Sequence, residues 1–392
     1  MRPENAAETE HPEPKPPPPS RNQRRRTTTA AMARPFSPLA LLLLVASLLA
    51  SAGVSADEEA TPLAVAAAAA PASRLVVPRP PPATPFGDEY TQLFGGSNLA
   101  LHGDSGGGER VVRITLDERT GCRRPPPSAG FASRRAYLHG LFSARVKLPA
   151  SYAAGVVVAF YMSNGDVYEK THDELDFEFL GNIRGRQWRV QTNVYGNGST
   201  SAGREERYGL WFDPTAGFHR YAVLWTHRRI VFYIDETPIR EVVRTESMGA
   251  QFPSKPMSLY ATIWDGSSWA TSGGRYKVDY KFAPFVAELT DLTLHGCAIS
   301  STLTRPSACP PDAVSVHNMM AMSSNQRSAM EKFRTKYMTY GYCYDRLRYP
   351  IPLSECSIGP EAELFLPNGE ARSMDRHGRV RRHKRGVVDS AL

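Results

Sequence analysis

His172 to Phe179 reads "HDELDFEF", and the reading of this stretch decides the fold. In a β-strand side chains alternate with a period of two. That puts His172, Glu174, Asp176 and Glu178 on one face and Asp173, Leu175, Phe177 and Phe179 on the other. The second face is almost wholly apolar and needs a core to cover it, whereas the first lines up three carboxylates. Like charges on one strand face repel, and Asp and Glu have low strand propensity. A strand that only had to be soluble would carry Thr, Lys or mixed signs instead.

Working outward, β-type runs punctuated by turn residues continue on both sides: "GVVVAFYMS" before it, and "WRVQTNVYG", "HRYAVLWTH", "RIVFYIDE" and "MSLYATIWDG" after it. Regular spacing with few helix signals predicts an all-β antiparallel sandwich or barrel. One helix stands out late, where Ser323-Ser324-Asn325 caps Gln326 to Tyr340 and Met330, Phe333 and Tyr337 share a face.

The chain has 392 residues, long enough for one large sandwich with appendages. Its formal charge of +8 resides at the ends. Met1–Arg34 holds seven basic residues against four glutamates, and Ala371–Leu392 holds seven against two aspartates. The rest is formally neutral, which argues against a nucleic-acid-binding face and for a neutral partner. Ala33-Arg34, the apolar run "LALLLLVASLLA" (Leu39–Ala50) and the small residues Val54-Ser55-Ala56 read as a secretion signal. The run falls short of the roughly 20 residues a membrane span needs. Initiation at Met32 and cleavage after Ala56 are expected, so no membrane contact remains in the mature chain.

Secretion makes disulfides the default for cysteines. Cys297, Cys309, Cys343 and Cys356 lie in the last quarter of the chain. Three connectivities are open to them. Local pairing of Cys297 with Cys309 and of Cys343 with Cys356 would close two short loops, each stabilising by ~3 kcal/mol. Cys122 is the odd one, beside an insertion-like Arg123-Arg124-Pro125-Pro126-Pro127. No CxxC or HxxxH spacing offers a metal site, and no metal is expected.

The three carboxylates have a chemical use. Retaining glycosidases employ two carboxyl groups about 5–5.5 Å apart, one to attack the anomeric carbon and one to protonate the departing oxygen. Glu174 and Glu178 have Cα atoms ~13 Å apart on an extended strand, and two glutamate arms leaning together close most of that gap. Asp176 between them would split their titration, helping Glu178 hold a proton while Glu174 stays ionised. Tyr260, Trp264 and Trp269 in "SLYATIWDGSSWATSGG" supply faces for sugar rings. Gln191 and Asn193, two apart on one strand, can exchange hydrogen bonds with hydroxyls.

"HDELDFEFLGN", "QTNVYGNGST", "REERYGLWFDPT", "MSLYATIWDGSSWATSGGRYKVDYKFAPF" and "YMTYGYCYDRLRYP" together resemble the plant xyloglucan endotransglucosylase/hydrolases of glycoside hydrolase family 16, from about Phe86 to Cys356. The resemblance implies a curved antiparallel β-sandwich of jelly-roll, concanavalin-like type, with a small disulfide-stapled C-terminal extension and no cofactor. It implies Glu174 as nucleophile, Glu178 as general acid/base and Asp176 as helper. The glucan contacts it implies are Gln191, Thr192, Asn193, Arg204, Glu205, Trp269, Gly273 and Arg348. The substrates would be a xyloglucan donor and a xyloglucan acceptor or water, acted on by a monomer in the plant cell wall. Relatives often carry Asp where this chain has Gly203 and Ser268. The sequon Asn197-Gly198-Ser199 stands in for the glycosylation site they carry after the carboxylate motif.

The expected organisation is an N-terminal extension with signal peptide over 1–56, a flexible lead-in over 57–85, and a catalytic domain over 86–295. An extension over 296–357 and a basic disordered tail over 358–392 follow, the tail suited to weak electrostatic contact with acidic wall polymers. An endo-β-glucanase acting on mixed-linkage or β-1,3-glucan is the neighbouring enzymatic reading. A lectin-like module without turnover is another, and it would have no need of three aligned carboxylates; a structural wall protein is a third, suggested by the tails alone.

Overall fold

Strands that alternate apolar and polar residues have one face to bury, and here two antiparallel sheets bury those faces against each other. A computed structural model describes residues 83–103, 110–118, 128–184, 187–198, 202–299 and 322–372, all within the compact unit Ala69–Leu392. The strands are β1 (Tyr90–Phe94), β2 (Leu99–His102), β3 (Val111–Leu116), β4 (Ala129–Ser133), β5 (Ala136–Lys147), β6 (Val156–Ser163), β7 (Glu174–Leu180) and β8 (Arg189–Tyr195). There follow β9 (Glu206–Tyr208), β10 (His219–Trp225), β11 (Arg229–Ile234), β12 (Thr237–Val243), β13 (Ser258–Asp265), β14 (Phe285–Ile299), β15 (Met338–Asp345) and β16 (Asn368–Glu370). One sheet has the order β1-β4-β13-β6-β7-β8-β9-β15-β16, the other β12-β11-β10-β5-β14-β3-β2. The expected antiparallel β-sandwich is what forms.

The apolar face of β7 explains why the sheets stack. Phe177 and Phe179 are fully buried. Phe177 meets Tyr221 of β10 and Phe232 of β11 edge-on at 5.6 and 5.2 Å, and Phe179 meets Tyr221 at 4.6 Å. Edge-to-face packing suits the ring quadrupoles. It also fixes which side of β7 faces outward, and that is the carboxylate side.

The late helix spans Ser324–Tyr337, begun by a capping box between Ser323 and Gln326. The expected end at Tyr340 is corrected: the chain turns extended at Met338 and enters β15 directly. Phe333 packs on Trp211, Tyr208 and Tyr337, while Met330 reaches the cluster of Leu141, Leu224 and Val231 on the other sheet. Arg334 donates to both oxygens of Glu206 on β9. Burial alone would raise Glu206, but Arg334 and Arg240 overcome it and hold this carboxyl at about 2. The helix is thus fastened to the sheet that carries the carboxylates.

Cys343 and Cys356 form a disulfide. Cys297 is also disulfide-bonded; Cys309 and Cys122 lie outside the described residues. So do the signal, most of the lead-in and residues 373–392. A tail beginning at 358 is corrected by the structure. Residues 358–372 form a turn of 3-10 helix (Pro360–Leu364) and β16, anchored by buried Phe365 stacked on Tyr344 at 4.2 Å. No helix among the described residues is long and apolar enough to cross a membrane.

Candidate active site

Register sets what stands beside each carboxylate. Glu174 faces Ser163 on β6 and Tyr195 on β8, Asp176 faces Tyr161 and Asn193, and Glu178 faces Ala159 and Gln191. Residues directly opposite in neighbouring strands share a face of the sheet, so each carboxylate sits in a row running across the strands. On β13, Tyr260 continues the Asp176 row and stacks on Tyr161 at 5.1 Å. Trp264 stands on the same face. Its ring lies 6.0 Å from that of Trp269, the pair packed on Val157, Leu180 and Ala270.

Asp173, just before β7, points into the protein and is fully buried. Its carboxylate accepts the backbone N–H groups of Asn197, Ser254 and Lys255 at 2.8 Å each, and Lys255 Nζ at 2.7 Å. Its own N–H donates to Asn164 Oδ1 at 2.7 Å. One carboxylate therefore ties together three connections around the start of β7, next to Glu174.

Burial raises all three outward carboxyls. At Glu174 the rise is opposed by hydrogen bonds from Ser163 and Asp176 and by nearby His172. Asp176 is driven well above the carboxylate range, by burial first and then by Glu174, Glu178 and Glu205; Arg240 pulls the other way. Burial pushes Glu178 up to about 7. The Gln191 hydrogen bond and Arg207 restrain the rise, while Glu205 and Glu174 add to it. This corrects the expected source of the asymmetry: Asp176 is not among the leading causes at Glu178, and the repulsion of the trio falls chiefly on Asp176 itself. Glu178 is a group whose protonation changes near neutrality, beside a Glu174 that its neighbours favour as the anion.

Several expected contacts stand on this face. Gln191 Nε2 donates to Glu178 Oε2 at 2.6 Å, and Asn193 Oδ1 accepts the N–H groups of Val194 and Arg204 at 2.8 Å. Glu205 is paired with Arg348 at 2.6 Å. A Cβ at Gly203 would lie 2.3 Å from Glu205 Oε1 and 2.6 Å from Arg348 Nη2, so the ion pair fills the space that a side chain there would need. Gly273, at φ +65°, borders open space. Asn197 is exposed at a left-handed turn.

Two expected glucan contacts are corrected. Thr192 opposes Phe177 and so belongs to the core face; its hydroxyl and carbonyl accept from buried Arg240. Arg204 is 1% exposed, paired with Glu355 and donating to Gln251 at 2.6 Å. It holds the loop before β9 against the segment next to Cys356. Sequence reasoning missed Arg207, Ser163 and Tyr161. The i, i+2 parity that singled out Gln191 and Asn193 could have found Ser163 and Tyr161, whereas Arg207, the second of two arginines in "REERY", carries no such signal.

Residues 86–282 match the family model described as "Glycosyl hydrolases family 16", and 313–356 match "Xyloglucan endo-transglycosylase (XET) C-terminus". "Probable xyloglucan endotransglucosylase/hydrolase protein 28" of Arabidopsis thaliana is 59% identical over 280 residues, 71% of this chain and 81% of the relative. "Probable xyloglucan endotransglucosylase/hydrolase protein 27" of the same plant is 55% identical, over 78% and 88%. Among solved structures, a Bacillus licheniformis β-glucanase is 23% identical over 53% of this chain and 92% of its own, with a TM-score of 0.39. The family-model matches and the two Arabidopsis relatives place the chain, with its carboxylate strand and stapled extension, in the xyloglucan endotransglucosylase/hydrolase family, glycosidase/transferase enzymes with a family 16 glycosyl hydrolase domain.

Proposed function

We propose that the protein cuts the β-1,4-glucan backbone of xyloglucan with retention of configuration and passes the new end to another xyloglucan chain or to water. The observation that carries this reading is the outward row of Glu174, Asp176 and Glu178, with Glu178 titrating near 7 and Glu174 surrounded by groups that favour its anion. Glu174 attacks the anomeric carbon, a covalent glycosyl-enzyme forms, and Glu178 gives its proton to the departing 4-oxygen. Glu178, now a carboxylate, takes the proton of an incoming 4-hydroxyl or of water. That oxygen displaces Glu174 and the enzyme is regenerated. Asp176, kept protonated by burial and then by the carboxyls around it, donates a hydrogen bond to Glu174 and steadies it as it leaves.

Tyr260, Trp264 and Trp269 offer ring faces to the glucan, and Gln191, Asn193, Glu205 and Arg348 border the reacting carboxyls. The protein acts as a monomer, secreted to the plant cell wall and glycosylated at Asn197, and needs no cofactor. The test is to incubate secreted protein with xyloglucan and a labelled xyloglucan oligosaccharide. Label entering polymer with few new reducing ends identifies transfer, new ends without label identify hydrolysis, and neither product sinks the reading.

A further inference from the structure

Glu178 opens a row that crosses five adjacent strands. Gln191 on β8 opposes it, Arg207 on β9 opposes Gln191, Tyr340 on β15 opposes Arg207, and Glu370 on β16 opposes Tyr340. The side chains are linked in that order. Gln191 Nε2 donates to Glu178 Oε2 at 2.6 Å and Arg207 Nε donates to Gln191 Oε1 at 2.7 Å. The guanidinium lies 4.7 Å from the centre of the Tyr340 ring, and Nη1 donates to Glu370 at 3.3 Å. Residues 357–372, which supply Glu370, lie beyond both family models.

The chemistry of these groups gives the row a direction. A guanidinium can only donate, so the end of the Gln191 amide facing Arg207 must be its oxygen. The end facing Glu178 is then NH2, which favours the carboxylate form of Glu178. An amide with no such partner is free to turn over and offer Glu178 an acceptor instead, favouring the acid. Arg207 is thus the residue that sets the sense of the Gln191 hydrogen bond. Tyr340 supports one face of Arg207, and Glu370 holds its outer edge. We infer that Glu370 is a positioning residue for Glu178, acting through Arg207 and Gln191, so that the segment after Cys356 belongs to the active site. The inference rests on the reading of Glu178 as the acid/base.

The plain alternative is a surface ion pair with no further consequence. Glu370 and Arg207 are 45% and 35% exposed, and such pairs contribute little to stability. The sign of the effect separates the two. Glu370 stands four strand spacings, ~19 Å, from Glu178, beyond a Debye length of about 8 Å. Its direct field is weak, and removing its negative charge would lower the pKa of Glu178. Loss of positioning would raise it. The other ionisable groups facing Glu178 are Glu174 and Asp176 from β7, Tyr195 from β8 and Glu205 from the segment before β9. Ala159 opposes it on β6. All are unchanged by the test.

The test compares the full chain with Glu370→Gln, Glu370→Asp and Arg207→Met. The readouts are the alkaline limb of kcat/KM for xyloglucan and the titration of the Glu178 carboxyl carbon by 13C NMR, the resonance assigned by its loss in Glu178→Gln. Glu370→Gln is expected to move both upward by about 0.3–0.5 unit, Glu370→Asp to recover part of the shift, and Arg207→Met to move them further. An unmoved or lowered titration in Glu370→Gln overturns the inference. Should that variant not fold, an unmoved titration in Arg207→Met does the same. The NMR readout needs no turnover. A wild-type chain inactive on xyloglucan would sink the functional reading, and one active with an unmoved titration in Glu370→Gln would sink the inference alone.

Discussion

Glu174 and Glu178 are the same residue type on the same strand face, yet different neighbours act on their carboxyls. In the proposed mechanism Glu174→Ala removes the nucleophile, and it should lower transfer and hydrolysis together by about 10⁴-fold while leaving the thermal unfolding midpoint and xyloglucan affinity close to wild type. Activity assays alongside calorimetry and glucan-affinity gels check this. The same mechanism has Glu178 protonated to release the first chain, so kcat/KM should fall as pH rises through about 7. The same carboxyl carries a stability cost. Its value is near 4.5 when exposed and about 7 in the folded chain, so between those values the folded state holds the extra proton and stability falls as pH rises. At about 1.36 kcal/mol per unit that interval corresponds to a few kcal/mol. Glu178→Gln should therefore stabilise the protein by about 2–3 kcal/mol at pH 8 and hardly at all at pH 4.5, as read by urea denaturation at both values.

At the scale of elements, the start of β7 shows what alternation reveals and what it hides. Period-two parity was enough to separate the carboxylates from Phe177 and Phe179 and to put Gln191 and Asn193 on one face. Applied strictly, it also assigns Thr192 to the opposite face, where Arg240 holds it. The family pattern groups Thr192 with its neighbours because they are adjacent in sequence, and adjacency along a strand means opposite sides. Asp173 was legible only as a polar exception on an apolar face. Its purpose depends on loops more than 20 and 80 residues away, which no local pattern can announce. Asp173→Ala would leave three N–H groups and Lys255 without their acceptor. It should destabilise by about 3 kcal/mol or more and lower activity by loosening Glu174; denaturant midpoints and kinetics at low temperature measure both. The helix start was legible from Ser323 and Gln326. Its end was not, since no Gly or Pro marks the passage from Tyr337 to β15.

On the scale of the whole molecule, the C-terminal extension is built into the sheet that carries the carboxylates. Arg204 pairs with Glu355, next to Cys356, and its N–H is accepted by Asn193; Arg348 pairs with Glu205. The double substitution Cys343→Ser/Cys356→Ser should cost ~3 kcal/mol and, by loosening Glu355, reduce turnover as well as stability. Equilibrium denaturation and the xyloglucan assay on one preparation test both. The sandwich itself was legible because regular turn spacing and alternating strands agree along most of the chain. The order of residues 358–372 was not, because a few apolar residues among charged and turn-forming ones look unable to fold, and the burial of Phe365 depends on joining a core built elsewhere in the chain, with the ring of Tyr344 stacked on it. The three-residue β16 has a further effect on how the molecule behaves among its copies. It caps the open rim of β15 with a short strand bearing Glu370 and bordered by Pro367. A chain stopped at Cys356 would expose a row of unsatisfied main-chain donors and acceptors, a template for pairing with another chain, and should self-associate more readily than the chain that carries β16, as light scattering of the two would show.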